Sequence, residues 1–375
     1  MFVFHRIPTP TSWSDHELVT FAETKAVTNH IRKEYLITLL LQEETVLSHL
    51  CAEGITPGNS LKTAVMSDFR ALLTALEQKH TLDGYRPSVH RALPFSDYQR
   101  SLETLVETDS EEALWDALVD HYRRFGCGTS AQYVAFLWNK GLVGIDHLDN
   151  ASLDRLFCLD WQKQELIQNT LSFLAGKPAN NVLLYGNSGC GKSSMIKALL
   201  NAYCHKGLRL VQINKDDLGE LPLLLNELKT KAFRYIVFMD DLSFEGDDYQ
   251  YKALKTVLEG GIEAKPENVL FYATSNRLHL VNETWEERQG SDVHVSDTQN
   301  EKLSLSERFG IRISFLSPGQ KEYLAIIEGL LGEEGVSFTP ELRAEALQWA
   351  SFYHGRSGRT ATQFVRSVLA KKNAE

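Results

Sequence analysis

The chain has 375 residues, of which 43% are hydrophobic and 23% are charged. This length predicts two or three domains, because a single hydrophobic core rarely serves more than about 250 residues. The composition excludes a collagenous, coiled-coil or wholly disordered chain. No apolar stretch reaches the roughly 18 residues that a bilayer span needs, and the N-terminus does not resemble a signal peptide. We therefore expect a cytoplasmic protein without a membrane partner.

Charge and cysteine content exclude further kinds of site. The formal net charge is −10, and residues 1–150 contribute −7 of it through 13 basic and 20 acidic side chains. Such an acidic region is poorly suited to a phosphate backbone, so the charge does not indicate a nucleic-acid partner. The five cysteines are scattered without a CxxC pair, and the histidines show no zinc-binding spacing. We expect reduced thiols and no metal site made of cysteine or histidine.

Apolar spacing divides the chain into three predicted domains. Residues 1–150 carry apolar side chains at intervals of three and four, which predicts an all-helical N-terminal domain that selects a protein partner. Residues 151–317 alternate β-rich runs with helical segments, as in an α/β domain with a parallel sheet. Residues 318–375 predict a small helical C-terminal lid. Within the second domain, the polar stretch 282–302 is long for a loop and is interpreted as either a mobile segment or a partner-dependent insertion.

The expected elements follow from the same patterns. In the first domain we predict helices at 34–49, 61–80, 111–125 and 130–139, and no strand. The aromatic cluster at 122, 125, 133, 136 and 138 has helical spacing and is assigned to the core. The predicted strands of the second domain are 182–185, 208–213, 235–239, 269–274 and 311–315. The predicted lid helices are 320–331, 340–354 and 359–371.

The strongest motif is a glycine-rich loop between the first predicted strand of the sheet and a helix. Its sequence, G-N-S-G-C-G-K-S, matches the Walker A pattern GxxxxGK[ST]. Such a loop directs backbone N–H groups at phosphates, while the lysine contacts the β and γ oxygens and the serine donates an oxygen to Mg²⁺. We therefore predict binding of ATP and Mg²⁺ by Gly186, Asn187, Ser188, Gly189, Cys190, Gly191, Lys192, Ser193 and Ser194.

An apolar strand that ends in two carboxylates follows about fifty residues later and matches a Walker B pattern. Asp240 is predicted to bind Mg²⁺, and Asp241 to orient or deprotonate the attacking water. Aspartate is shorter than the glutamate that is usual at the second position. Glu245, four residues later, is therefore the alternative base.

Three further polar positions follow in chain order. Asn276 ends a buried strand, where its amide can hydrogen-bond the attacking water or the γ-phosphate. Arg308 lies at a helix end before the last strand, where a cation can project from the subunit surface. Arg356 and Arg359 begin the last helix, and either can fold over the triphosphate. Each arginine alone is a weak signal, but their order after both Walker motifs is specific.

Residues 156–368 resemble an AAA+ ATPase on these motifs. The resemblance implies that Asn276 is sensor 1, Arg308 an arginine finger and Arg359 sensor 2. More narrowly, the stretches 181–186, 215–222, 251–262 and 301–310 are similar to an uncharacterised bacterial AAA+ family catalogued as domain of unknown function eight-fifteen. The resemblance also implies a parallel sheet in the order 5-1-4-3-2, ATP bound between neighbouring subunits, and a homo-oligomeric ring or spiral, commonly a hexamer.

Three functions are compatible with these features. The favoured hypothesis is a Mg²⁺-dependent ATPase that remodels or loads a protein or protein–nucleic-acid complex. The alternative is a slow nucleotide-gated switch, or a helicase-loader-like protein on DNA, which is favoured by the short Asp241. It is also favoured by the acidic turn 216–220, which lacks the aromatic side chain that a translocating unfoldase uses. A small-molecule kinase would share the Walker A motif but would need neither the lid nor an arginine from a neighbour.

Overall fold

The structure, a computed structural model, describes residues 3–4, 6–25, 30–52, 54–77, 82, 96–244, 249–259, 265–277, 305–353 and 355–372. Two compact units are present. One contains residues 1–134 and 230–233, and the other contains residues 135–229 and 234–375. Among the described residues, no helix combines the length and apolar character needed to cross a bilayer.

The first unit is built from helices. They are α1 (Asp15–Lys25), α2 (Ile31–Gln42), α3 (Val46–Ala52), α4 (Asn59–Leu76), α5 (Ser96–Glu107), α6 (Glu111–Phe125) and α7 (Thr129–Gln132). Helices α4 and α6 correspond to the predicted helices 61–80 and 111–125, whereas the predicted helix 34–49 is divided into α2 and α3 by a break after Gln42. Tyr122 of α6 is fully buried and donates its hydroxyl hydrogen to the backbone oxygen of Leu40 at 2.7 Å. The burial of this tyrosine and of Phe125 agrees with the core assignment of the aromatic cluster.

The second unit contains a seven-stranded sheet. The strands are β1 (Ala135–Trp138), β2 (Leu142–Gly144), β3 (Val182–Gly186), β4 (Leu208–Gln212), β5 (Arg234–Met239), β6 (Val269–Ser275) and β7 (Ile311–Phe315). Their order is β2-β1-β4-β5-β6-β3-β7, and all pairs are parallel except β1 with β2. Strands β7, β3, β6, β5 and β4 thus have the predicted order 5-1-4-3-2. The predicted α/β fold class is confirmed, with two further strands at one edge.

The predicted helix at 130–139 is wrong. Within that stretch only residues 130–132, the last three of α7, are helical. The prediction of no strand in residues 1–150 is also wrong, because β1 and β2 form a hairpin that extends the sheet beyond β4. The chain reverses through Lys140 and Gly141, whose φ angles of 54° and 157° do not fit a helix. Residues 135–150 consequently belong to the unit that contains the sheet. Phe136 and Trp138 are buried in this unit, as the core assignment predicts.

Seven helices accompany the sheet within the described residues of the second unit. They are α8 (Asp160–Leu174), α9 (Lys192–Tyr203), α10 (Leu221–Lys229), α11 (Tyr249–Glu259), α12 (Gln320–Glu333), α13 (Pro340–Phe352) and α14 (Gly358–Lys372). The last three correspond to the three helices predicted within residues 318–375, and these helices are called the lid below. Their apolar side chains, among them Tyr323, Ile327 and Phe364, share one small core. The lid is therefore held together by its own hydrophobic contacts.

Candidate functional site

The parallel sheet brings the predicted site residues to one edge. Strands β3, β5 and β6 run in the same direction, so their carboxyl ends lie side by side. Met239 of β5 pairs with Ala273 of β6, and Tyr185 of β3 pairs with Ser275 of β6. The residues that follow each strand therefore come together. These are the glycine-rich loop, the two Walker B carboxylates and the end of β6.

The glycine-rich loop needs glycine for two reasons. Gly186, Gly189 and Gly191 have φ angles of 131°, 74° and 96°, in a region that other residues rarely adopt. A Cβ atom on Gly186 would also lie 2.1 Å from the backbone oxygen of Phe315. Helix α9 begins directly after the loop, so its first N–H groups lack partners within the helix. This is the local geometry of an anion site.

Lys192 is buried at the start of α9, and its ammonium group has three acceptors. Its Nζ donates to the backbone oxygens of Gly186 at 2.8 Å and Asn187 at 2.9 Å, and to Oδ1 of Asn276 at 3.0 Å. Burial lowers the pKa of this lysine, and the nearby Asp241 and Asp240 oppose the shift. An anionic ligand would favour the charged form further.

The Walker B carboxylates form a hydrogen-bonded cluster with the loop and with β6. Ser193 Oγ donates to Oδ1 of Asp240 at 2.6 Å, and Thr274 Oγ1 donates to the same oxygen at 2.5 Å. Asn276 Nδ2 donates to Oδ1 of Asp241 at 2.7 Å. Because Asn276 also accepts from Lys192, its amide links the Walker A lysine to the second Walker B carboxylate.

A cavity of about 890 Å³ lies against this cluster. Its polar wall includes Ser188 to Ser194, Asp240, Asp241, Thr274, Asn276 and Arg359. The apolar side chains on its wall come from the segment before α8, from the segment after β7 and from the lid, and they are Leu156, Phe157, Leu159, Leu316, Pro318, Ile326 and Leu330. This volume suits a nucleotide, and the wall offers polar groups for phosphates together with apolar groups for a base.

The three predicted arginines differ in their positions. Arg359 lines the cavity, and its backbone N–H donates to the oxygen of Gly189 at 3.1 Å, so the lid touches the glycine-rich loop. Arg356 is exposed and is not among the described residues that line the cavity. Arg308 is also outside that lining, and it pairs with Glu259 at 2.9 Å. Of the two alternatives for the lid cation, the geometry favours Arg359.

Some predictions fall on parts of the chain that the structure does not describe. Glu245, the alternative base, and the stretch 282–302 lie outside the described residues.

Sequence reasoning missed several residues of the site. Thr274 hydrogen-bonds the first Walker B carboxylate, and residues 155–159 line the cavity. Arg366 lines the cavity together with Arg359, seven positions earlier on α14. Arg366 could have been predicted from the sequence, because it lies seven residues after Arg359 and residues seven apart lie on the same face of a helix. The role of Thr274 depends on the register between β5 and β6, which the sequence does not display.

The side chains of this site are suited to bind Mg²⁺ and a nucleoside triphosphate. Mg²⁺ prefers hard oxygen ligands and retains several waters, and it is commonly held by one or two protein groups with substrate phosphates. The Ser193 hydroxyl and the Asp240 carboxylate supply such oxygens side by side. Lys192 and Arg359 supply cations on the same cavity wall. When bound, Mg²⁺ would neutralise the charge that develops on the phosphate oxygens.

The chain matches the profile of a known family over most of its length. The profile of a family described as "Protein of unknown function (DUF815)" matches residues 131–372. The chain belongs to this family. In this DUF815 member, the matched region begins before the β1–β2 hairpin and extends to the end of the lid. Its five-strand order and C-terminal helices agree with the resemblance to AAA+ proteins that the sequence motifs indicate.

The DUF815 chain also has more distant similarities to a curated protein and to solved structures. It is 39% identical over 80 residues to the replication factor C large subunit of Staphylothermus marinus, and it spans 18% of that protein's length and 21% of its own. A variant of Thermotoga maritima RuvB is 17% identical with a TM-score of 0.43, and the match covers 60% of this chain and 68% of RuvB. The replication initiator DnaA bound to AMPPCP and single-stranded DNA is 17% identical, with a TM-score of 0.39 and coverage of 60% and 66%.

Proposed function

We propose that this protein is a Mg²⁺-dependent AAA+ ATPase that remodels or loads a protein or protein–nucleic-acid complex. The observation that supports it most is the meeting of Lys192, Ser193, Asp240, Asp241 and Asn276 at one sheet edge, within a cavity that the lid also lines. The helical N-terminal domain is proposed to select the protein partner. The predicted domain boundaries at 150 and 317 and the cytoplasmic location stay predictions.

Binding would use groups that the loop already holds in place. The N–H groups of the glycine-rich loop would bind the β-phosphate, and Lys192 would exchange its carbonyl acceptors for phosphate oxygens. Ser193 and Asp240 would hold Mg²⁺. Arg359 would reach the triphosphate from the lid, so a change in phosphate charge would alter the lid's attachment.

Hydrolysis requires a water aligned with the γ-phosphate, and Asp241 and Asn276 are the side chains proposed to hold it. Their mutual hydrogen bond of 2.7 Å places a carboxylate and an amide next to each other beside Lys192. A γ-phosphate that draws Lys192 away from Asn276 would leave this amide oxygen free to accept a hydrogen bond from the water. Asn276 would then hold the attacking water only while the γ-phosphate is bound.

Arg308 is proposed to complete the site of a neighbouring subunit in a ring or spiral, with a hexamer as the expected form. Its side chain is 45% exposed, and it pairs with Glu259 instead of lining the cavity of its own chain. A cation that lies outside its own nucleotide cavity but reaches solvent is suited to act across a subunit interface.

We expect ATP turnover per subunit to rise with protein concentration, and to fall about 10³-fold in Arg308→Ala while ATP still binds. The control is Arg343→Ala, which removes another half-exposed arginine from an ion pair, with Glu328 at 3.0 Å, and should leave turnover unchanged. The measurement is steady-state phosphate release across a concentration series. A flat specific rate that does not depend on Arg308 would contradict the shared site and would favour a self-contained kinase or switch.

A second candidate is the nucleotide-gated switch or loader, which one further observation favours. Residues Lys215–Glu220 form a 3₁₀ turn at the end of β4, and Leu218 within it is fully buried. Glu220 accepts a hydrogen bond from Nε1 of Trp138 at 2.7 Å, which ties the turn to β1. A buried leucine is unavailable to grip a threaded polypeptide, so a threading mechanism through this turn is disfavoured.

The effect of single-stranded DNA on ATP turnover distinguishes the two candidate functions. With a net charge of −10, we expect turnover to be indifferent to single-stranded DNA at any salt concentration. The measurement is phosphate release with and without the DNA across a salt series. Strong stimulation that disappears as salt rises would favour the loader instead, because phosphate contacts weaken steeply with ionic strength.

A further inference from the structure

The hydroxyl of Thr274 joins the two Walker B residues. It donates to Oδ1 of Asp240 at 2.5 Å and accepts the backbone N–H of Asp241 at 2.8 Å. A backbone N–H can only donate, so it occupies a lone pair of the hydroxyl oxygen, and the single hydroxyl hydrogen is committed to the carboxylate. Thr274 itself is 1% exposed, and it lies on the wall of the cavity between the two exposed carboxylates and the core of the sheet.

The backbone around Asp241 needs such support. Asp241 has a φ angle of 55°, a left-handed conformation that is uncommon for residues other than glycine. Two further hydrogen bonds attach the next residue to β6, from the N–H of Leu242 to the Thr274 backbone oxygen and from Ser275 Oγ to the Leu242 backbone oxygen, each at 2.7 Å. The end of β6 thus determines where both carboxylates lie.

We infer that Thr274 is a positioning residue for the metal ligand Asp240 and for Asp241, acting through its hydroxyl. This inference rests on the proposed function, because it assigns Asp240 to Mg²⁺. Ser193 and Thr274 donate to the same oxygen of Asp240, so the carboxylate is oriented from the loop and from the sheet at once. Removing the threonine hydroxyl leaves one of these two donors and deprives the Asp241 N–H of its acceptor.

The test compares nucleotide affinity with and without Mg²⁺. Thr274→Val keeps the shape and removes the hydroxyl, and Thr274→Ser keeps the hydroxyl. Thr170→Val is the matched control, because Thr170 is a fully buried threonine whose hydroxyl lies 2.9 Å from the Tyr272 hydroxyl, outside the lining of the cavity. The dissociation constant of β,γ-imido-ATP is measured by calorimetry with Mg²⁺ and with a chelator, and Mn²⁺ binding to the complex is followed by EPR.

We expect Thr274→Val to reduce the Mg²⁺-dependent gain in affinity about tenfold, since a hydrogen bond to a charged group contributes about that much to an equilibrium constant. Affinity in the chelator should change little, Mn²⁺ binding should weaken in parallel, and Thr274→Ser and Thr170→Val should resemble the parent. If Thr274→Val equals the parent, if Thr274→Ser is equally impaired, or if Thr170→Val is equally impaired, the inference is wrong. A parent chain without Mg²⁺-dependent nucleotide binding would instead overturn the proposed function.

Discussion

Replacement of Lys192 by alanine is expected to weaken ATP binding by about 100-fold or more. The ammonium group is the cation that the glycine-rich loop itself supplies, and each charge-assisted hydrogen bond to a phosphate oxygen is worth about tenfold in affinity. Burial already lowers the pKa of this lysine, so its charge is costly in the free protein. We therefore expect the variant to remain folded and to lose affinity for the ligand.

The measurement is the rise in melting temperature that ATP produces, together with the dissociation constant from calorimetry. A ligand that binds only the folded state stabilises it by RT ln(1 + L/Kd), where L is the free ligand concentration, so a rise of about 100-fold in Kd should remove most of the shift that the same ATP concentration produces in the parent. Lys206→Ala is the matched control, because this exposed lysine follows α9 and lies outside the lining of the cavity. A parent-like affinity in Lys192→Ala would refute the assignment of the phosphate site.

The sheet and the glycine-rich loop could be predicted from the sequence because their signals are local. Strands buried on both faces appear as continuous apolar runs, and the five predicted strands coincide with β3 to β7 within one residue at each end. The Walker A spacing is short and specific. The predicted strand before this loop and the predicted helix after it support the same interpretation.

The β1–β2 hairpin could not be recognised in the same way. An apolar run of four residues fits a helix or a strand equally well, and periodicity does not distinguish them at this length. The deciding signal is the turn at Asn139, Lys140 and Gly141, where the N–H of Asn139 bonds to the oxygen of Gly141. The second partner of β1 is β4, more than seventy residues later, and the local sequence pattern does not reveal a pairing between strands so far apart in the chain.

The sequence predicts the motifs of the candidate site, but it does not predict the hydrogen bonds that join them. Asp240 and Asn276 are visible as polar residues at strand ends, but the hydrogen bonds that join them depend on the register of β5 and β6. Thr274 is one such connection, since its position opposite Asp240 follows from that register. The contacts of Arg308 could not be predicted either, because the nucleotide site that it is proposed to complete belongs to another copy of the chain.

Asp241→Asn is expected to preserve ATP binding and to reduce turnover by about 10² to 10⁴-fold. Asparagine has the size of aspartate and keeps an oxygen that can accept from Asn276 Nδ2, so the local geometry should survive. What is lost is the negative charge that orients or deprotonates the attacking water, and general-base catalysis contributes about that factor. The measurements are the ATP dissociation constant and the rate of phosphate release in a single turnover.

Two further variants make the result specific to this carboxylate. Asp216→Asn removes an exposed negative charge from the turn that follows β4, outside the cavity lining, and should leave both measurements at the parent values. Glu245→Gln tests the alternative base. If it abolishes turnover while Asp241→Asn does not, the base is Glu245 and the role of Asp241 reduces to holding Asn276. If both lower turnover with intact binding, the two carboxylates act on the same water and the shorter reach of Asp241 is compensated by Glu245.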